Sequence, residues 1–419
     1  MIQRNLQHSL AEAMKDTPVL VINGPRQSGK STLAQLCSPS GPDTRFVSLD
    51  DASVYTAAID DPMGFIAGIK GSIVLDEIQR VPELFRAIKY AVDRDRQPGR
   101  FLLTGSADIL LLPRISDSLA GRIEFFTLWP FSMGELQGQR EDFADRVFRR
   151  ESVDLAVPRH DRDTTLKAIL MGGFPEVQGR TSVIRRDAWF GAYITSILQR
   201  DVRDMSNIEQ LSAMPRLLSL IAARATGLVN FSEMSRSLDL PQSTLKRYMT
   251  LLERTFMVTA LQPWHANLGK RLVKSPKLLL SDCGLMAHLL GIDEVEDVQP
   301  RQLGALAENF VAMELIKQQG WSRRRFKLYH YRDQGGREID LVLERPDGSV
   351  VAIEIKASST VSPKDFQHIR CLQGLLGERF VRGIVLYMGE STIGFGEKLH
   401  ALPLNALWQG GNGESPATA

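Results

Sequence analysis

The chain has 419 residues, with 51 Lys and Arg against 49 Asp and Glu, a formal net charge of +2. Its 43% hydrophobic and 24% charged residues are ordinary for a folded protein. That composition excludes a disordered, collagen-like or disulfide-scaffold chain, and the length suits roughly two to four domains, each able to bury a core.

The first segment, residues 3–15, reads as a short amphipathic helix with no apolar run of the secretory type. Pro18-Val19-Leu20-Val21-Ile22 reads as a buried strand, and a helix is predicted from Ser31 to Leu36. Short apolar runs at residues 46–49, 72–75 and 100–103 alternate with helical stretches. Such alternation predicts an α/β fold with a parallel sheet covered by helices on both faces.

Between the first strand and its helix lies Asn23-Gly24-Pro25-Arg26-Gln27-Ser28-Gly29-Lys30-Ser31-Thr32. The spacing Gly24-x4-Gly29-Lys30-Ser31 is a full Walker A phosphate loop, expected by chance only about 0.02 times in such a chain. Glycines let the backbone curl so that successive N–H groups face phosphate oxygens. Lys30 supplies the point charge for the β- and γ-phosphates of ATP, and the Ser31 hydroxyl supplies a ligand for Mg2+. Ile73-Val74-Leu75-Asp76-Glu77 then offers the acidic strand end that such a site needs, with Asp76 on the Mg2+ side and Glu77 polarising the attacking water. The strand ending in Thr104-Gly105-Ser106 offers Thr104 and Ser106 as γ-phosphate sensors. Arg122 and Arg114 are candidates for a transition-state cation, and either acting in trans requires an oligomer.

These motifs, with Leu75-Asp76-Glu77-Ile78-Gln79 and Ser118-Leu119-Ala120-Gly121-Arg122, resemble the AAA+-type ATPases of bacteria and archaea. Gly172-Gly173-Phe174-Pro175-Glu176 and Arg200-Asp201-Val202 are similar to a subgroup with a long C-terminal domain, so the resemblance spans nearly the whole chain. It implies an ASCE nucleotide-binding core, a lid, a winged helix and a restriction-endonuclease-like end.

Residues 136–165 are polar and read as a linker or insertion, and 166–225 as helical. Asn230 to Leu240 reads as a capped helix with a turn. Pro241 opens a second helix in which Leu245, Met249 and Leu252 share an inward face and Gln242, Ser243, Lys246 and Arg247 an outward one. A recognition helix presents itself to a major groove in this way. Residues 256–261 are expected to form a first wing strand. Lys270, Arg271, Lys274 and Lys277 form a basic stretch suited to backbone phosphates. Protein interaction or a lid role is the competing reading for this module.

Farther on, a helix is expected over 306–319, then strands over 326–331, 337–344 and 350–356, the last two joined by a hairpin turn at Arg345-Pro346-Asp347-Gly348-Ser349. In a strand, residues i and i+2 share a face, so Glu354 and Lys356 point together, and the hairpin brings Asp340 beside them. With Glu308 on the preceding helix this matches the PD-(D/E)xK pattern, in which the carboxylates hold a divalent metal and the lysine orients water. An alternative is a degenerate fold that docks DNA or a subunit. The last ten residues, 410–419, read as a disordered tail.

Cys37, Cys283 and Cys371 lie far apart without a CxxC pair, as expected for reduced, mostly buried thiols rather than zinc ligands. No uncharged apolar run reaches the ~18 residues of a membrane span. The expected architecture is therefore a P-loop NTPase core (1–135), a helical lid or linker (136–225), a winged helix (226–275), a PD-(D/E)xK-like α/β domain (276–405) and a tail (406–419). The expected protein is a cytoplasmic Mg2+-dependent ATPase acting on DNA, by translocation or helicase-like remodelling of structures such as junctions. The class suggests a ring oligomer, a hexamer among the forms. A nucleotide-dependent switch or scaffold is the second reading and an ATP-regulated endonuclease the third.

Overall fold

In the computed structural model, which describes residues 2–38, 45–106, 119–150, 157–202, 212–265 and 275–409, the chain divides into two units. The first gathers Met1–Phe131 with Ser196–Asn207 and Thr250–Met257, and the second gathers Ser132–Thr195, Ile208–Met249 and Val258–Ala419.

The first unit is a five-stranded sheet of β1 (Val19–Asn23), β2 (Arg45–Ser48), β3 (Ile73–Asp76), β4 (Phe101–Gly105) and β5 (Ile123–Thr127). Every pairing is parallel, in the order β2-β3-β4-β1-β5. Strand β1 is buried along its whole length, which is why its sequence is continuously apolar instead of alternating. Val19 and Val21 enter one core with residues of α3 (Ala52–Asp60), α4 (Pro62–Ala67) and α5 (Leu84–Arg94). Leu20 and Ile22 enter the other, with Leu6 and Leu10 of α1 (Leu6–Ala13) and Leu33 and Ala34 of α2 (Lys30–Cys37). Two apolar layers thus enclose the sheet, the α/β arrangement expected from the alternating runs.

Within the second unit, residues 136–150 are no linker. Phe143 and Val147 are fully buried, and the charged Glu135, Glu141 and Arg146 are buried with them. Their polarity is absorbed internally. The Met133 N–H donates to Glu314, the Ala144 N–H to Gln318, and Arg146 to the Ala406 carbonyl, while Trp321 Nε1 donates to the Glu141 carbonyl. Buried polar groups that are satisfied in this way look, in sequence, like a solvated stretch.

The motif Gly172-Gly173 has a packing reason. Asp282 is buried, caps α11 (Cys283–Leu290) through the Leu285 N–H, and accepts the Gly173 N–H at 2.6 Å. Gly172 has φ +73°, and a Cβ there would stand 2.2 Å from Asp282 Oδ1. The helices α6 (Arg162–Met171) and α7 (Val183–Ser196) flank this motif.

Helices α8 (Ala213–Ala223), α9 (Phe231–Leu238) and α10 (Gln242–Arg254) lead into an antiparallel pair, β6 (Val258–Leu261) with β7 (Lys277–Leu280). Asn230 caps α9, and Leu245, Met249 and Leu252 face inward as their spacing predicts. After α11 and α12 (Pro300–Gln318) comes a six-stranded sheet of β8 (Lys327–Arg332), β9 (Glu338–Glu344), β10 (Val350–Lys356), β11 (Phe380–Tyr387), β12 (Ile393–Gly396) and β13 (Leu399–Pro403). Its order is β12-β13-β11-β10-β9-β8, with β10 to β11 parallel through the crossover helix α13 (Gln367–Leu376). The β9–β10 hairpin closes through Arg345 and Ser349, with Gly348 at φ +81°.

Of the three cysteines, Cys283 is buried, Cys37 half-buried and Cys371 exposed, so the expectation of mostly buried thiols fails at Cys371. Among the described residues no helix is long and apolar enough to cross a membrane. Residues 410–419 lie outside the described residues.

Candidate active site

At the end of β1 the backbone takes positive φ at Gly24, Gln27 and Gly29, which curls the loop toward the start of α2. Gly24 is irreplaceable on space alone, since a Cβ would lie 2.3 Å from the Leu128 carbonyl oxygen. Lys30 is buried, and its Nζ donates to the carbonyls of Gly24 at 3.1 Å and Pro25 at 2.7 Å. The Ser28 hydroxyl is buried with no hydrogen-bond partner among the described residues. A buried orphan hydroxyl, a curled loop and a helix N-terminus are what a phosphate would satisfy.

The strand order puts β4 between β1 and β3, so the end of β4 stands between the phosphate loop and the acidic strand end. Ser31 Oγ donates to Asp76 Oδ1 at 2.7 Å, Thr104 Oγ1 donates to the same oxygen, and Ser48 Oγ reaches Asp76 Oδ2 at 3.4 Å. Asp76 thus collects three hydroxyls from three other segments. Glu77 sits at φ +60°, a left-handed conformation that is costly for a residue other than glycine. Its N–H donates to Thr104 Oγ1 at 3.3 Å, and its carboxylate accepts from Ser106 Oγ at 3.1 Å and from Gln79 Nε2. The residues named from sequence on these three segments therefore converge: Lys30, Ser31, Asp76, Glu77, Thr104 and Ser106. Arg26 is half-buried beside the loop and Thr32 is exposed on α2.

Arg122 does not join them within one chain. It directly precedes β5, and its carbonyl accepts the Val19 N–H at the start of β1. The phosphate loop leaves the other end of that strand, about 13 Å of rise away, farther than an arginine side chain extends. Arg122 instead pairs with Asp93. Arg114 lies outside the described residues.

Sequence reasoning missed two contributors. Gln79 bridges Glu77 and Ser106 (3.1 Å to the latter), and its place two residues after Glu77 was the available signal. Arg4 carried no signal. It is buried, donates through Nη1 to the Ser28 carbonyl at 2.9 Å and through Nη2 to the Trp129 carbonyl at 2.5 Å, and lies over the Phe131 ring.

In the second unit, Lys246 and Arg247 are exposed on α10, with Lys246 over the Phe231 ring. Lys270, Arg271 and Lys274 lie outside the described residues. Lys277, expected in a surface basic stretch, is 2% exposed and inward. Its Nζ meets Glu308 Oε1 at 2.7 Å, Glu338 Oε1 at 2.9 Å and Asp340 Oδ1 at 3.8 Å. The β9–β10 ladder pairs Val350–Ile353 with Leu341–Glu344, and beyond it Asp340 Oδ2 takes the Ile355 N–H at 2.8 Å. Glu354 and Lys356 share a face, as their spacing predicts, and pair at 2.9 Å.

The three acids expected to hold a metal, Glu308, Asp340 and Glu354, thus lie near one another, but with Glu338 and the lysine Lys277 among them. Burial raises the Glu308 carboxyl to about 8, with Asp340 adding to the rise, and burial likewise raises Glu354 to about 7. Burial works against the charge on Lys277, yet Glu308, Asp340 and Glu338 outweigh it and raise its pKa. Among the described residues no three or more His, Cys, Asp or Glu side chains are arranged to hold a metal ion. The expectation of a divalent metal on Glu308, Asp340, Glu354 and Lys356 is therefore not met by this geometry, because the Lys277 ammonium stands between the first two.

An AAA domain family model matches residues 16–137, and two domains of unknown function match 162–296 (DUF8612) and 303–407 (DUF4143). An uncharacterised protein of Mycobacterium tuberculosis is 32% identical over 406 residues, covering 97% of this chain and 84% of its own. An uncharacterised protein of Mycobacterium bovis matches with the same identity and coverage. Among solved structures, AMPPCP-bound DnaA from Aquifex aeolicus superposes with TM-score 0.28 at 12% identity, over 59% of this chain and 85% of that one. RuvB from Thermotoga maritima superposes with TM-score 0.28 at 19% identity, over 61% and 88%.

Proposed function

On the premise that this chain belongs to the family of the mycobacterial proteins it matches along nearly its whole length, we propose that it is a Mg2+-dependent ATPase that acts on DNA. An AAA domain over residues 16–137 is the established part. The observation that carries the catalytic reading is the meeting of Ser31, Asp76 and Thr104 on one carboxylate oxygen beside Lys30.

Mg2+ on ATP supplies charge neutralisation at the β- and γ-phosphates. Ser31 and Asp76 are the residues to hold it, and they already touch. Lys30 exchanges its two loop carbonyls for phosphate oxygens. Glu77 orients the attacking water once Gln79 and Ser106 yield its carboxylate, and Thr104, bonded to both Asp76 and the Glu77 backbone, transmits γ-phosphate contact between them. Arg122 belongs to a neighbouring subunit's site in a ring, since its own lies at the far end of the sheet.

DNA as the partner rests on the outward Lys246 and Arg247 of α10, on the helix-turn-helix order of α9 and α10, and on the β6–β7 pair that follows as a wing would. The test is steady-state ATP hydrolysis with no nucleic acid, single-stranded DNA, duplex and a four-way junction, at low and moderate salt. Stimulation by one form, falling steeply with salt, is expected. A flat response overturns the DNA reading. Mixing Glu77→Gln with Arg122→Ala subunits tests the ring, and recovered hydrolysis in the mixture is expected.

One observation favours a second reading, a nucleotide-dependent switch whose C-terminal domain docks a partner without cutting. It is the Lys277 ammonium inside the carboxylate cluster.

A further inference from the structure

Lys277 lies on β7, ahead of every element of the C-terminal sheet, yet its ammonium is enclosed by acids from α12 and β9. The enclosure is built from several directions. Thr226 bonds the Glu308 carboxyl, the Thr226 N–H donates to the Leu278 carbonyl, and the Lys277 backbone pairs with Leu228. Arg332 faces Glu338 at 3.8 Å, and Lys356 holds Glu354. A hard divalent ion needs several oxygens at about 2.0–2.6 Å around one point. Here Glu308 and Glu338 spend an oxygen each on the ammonium, and Asp340 spends one on the Ile355 N–H. A dication placed among them would also face a fixed positive charge a few ångströms away.

We propose that Lys277 is the resident cation of this cluster, holding the place that a divalent ion would take, so that the C-terminal sheet of the native chain is metal-free and becomes a Mn2+ or Mg2+ site only when Lys277 is removed. The ammonium reaches Glu308 of α12 and Glu338 of β9 at hydrogen-bond distance, with Asp340 of β9 at 3.8 Å, and so locks α12 to β9 in a metal's stead. The cluster is then a structural fastening derived from a metal-site layout. The proposal stands on β7, α12 and β9 and does not rest on the ATPase reading.

The test counts Mn2+ bound per chain by the loss of the free-ion electron paramagnetic resonance signal. The full-length chain carries Asp76→Asn to silence the phosphate loop, in versions with Lys277, with Lys277→Met, and each with Asp340→Asn added. The expected result is no Mn2+ bound through Asp340 when Lys277 is present, and one Mn2+ per chain with Lys277→Met that disappears when Asp340→Asn is added. Mn2+ bound by the Lys277 chain and removed by Asp340→Asn overturns the proposal. So does a folded Lys277→Met chain that binds none. If Lys277→Met does not fold, the Lys277 pair decides alone: Asp340-dependent Mn2+ overturns the proposal and its absence upholds it. ATP hydrolysis is not read in this assay, so loss of the ATPase reading leaves its outcome intact.

Discussion

The hydroxyl of Ser31 and the carboxylate of Asp76, 45 residues apart in sequence, meet at 2.7 Å across the end of the parallel sheet. One residue lies in the first turn of the helix after the phosphate loop, and the other ends the acidic strand. Their contact ties the two halves of the site together before any nucleotide arrives. Ser31→Ala and Asp76→Asn are each expected to lower Mg2+-dependent phosphate release by about 10²-fold or more. A coupled phosphate assay over a Mg2+ titration checks this, and unchanged Mg2+ dependence in Asp76→Asn would remove that residue from the site.

Lys30 and Glu77 should separate binding from turnover. Lys30→Ala is expected to lose nucleotide affinity, because its ammonium is the one seated on the Gly24 and Pro25 carbonyls, where it can turn to phosphate oxygens. Glu77→Gln keeps the backbone and the Gln79–Ser106 neighbourhood but cannot take a proton from water. It should bind a fluorescent ATP analogue normally and hydrolyse it at least about 10²-fold more slowly. Normal turnover by Glu77→Gln would sink its role as activator.

Arg4 should matter far more than an N-terminal arginine usually does. It is the only side chain described here as joining the Ser28 and Trp129 carbonyls. Arg4→Ala removes its bonds to the buried Ser28 carbonyl and the half-buried Trp129 carbonyl and is expected to cost about 2 kcal/mol of stability. It should also weaken nucleotide binding more than it slows turnover, which a KM-against-kcat comparison will show. Arg4→Lys, with a single charged head, should restore little of either.

Gly172→Ala is expected to destabilise the second unit by about 1–3 kcal/mol, because the new Cβ is both strained at φ +73° and set against Asp282. Denaturant melts of the full chain are the measurement. A neutral result would show that Asp282 can move away from the Gly173 N–H at little cost.

The buried Glu141 should make stability depend on pH. Burial pushes its carboxyl well above the ordinary 4.5, and Glu314 adds to the rise, while Ser132 and the Gly134 N–H hold it. A folded-state value above the unfolded one means that the folded chain binds the extra proton. The contribution is complete below about pH 4.5 and is lost as pH climbs through the raised value. Glu141→Gln, permanently neutral, should flatten this part of the melting temperature against pH. An unchanged slope would place the titration elsewhere.

The phosphate loop and the acidic strand end were legible in sequence because their residue types carry the chemistry at fixed spacing. Thr104 followed from them once β4 was seen as a strand. The position of Arg122 was not legible, since the end of the sheet at which it lies is fixed by β5 running parallel to β1, which its neighbours in sequence do not state. Lys277 misled for a different reason. Four basic residues in eight positions look like a solvated face, and only the fold shows that one of them turns inward to three acids. Residues 136–150 misled likewise, because buried charges with internal partners have the composition of a surface.

The first unit is assembled from three separated lengths of chain, Met1–Phe131, Ser196–Asn207 and Thr250–Met257. Trp129 meets Phe256 edge to face at 5.6 Å, and Arg200 meets Asp50 at 3.2 Å, so the later lengths return to the first. A piece cut out between the sequence borders 16 and 137 would leave such partners behind and carry a raw apolar seam. Transplanting the nucleotide module into another protein therefore calls for grafting the two returning strips with it, or for replacing the surface they cover.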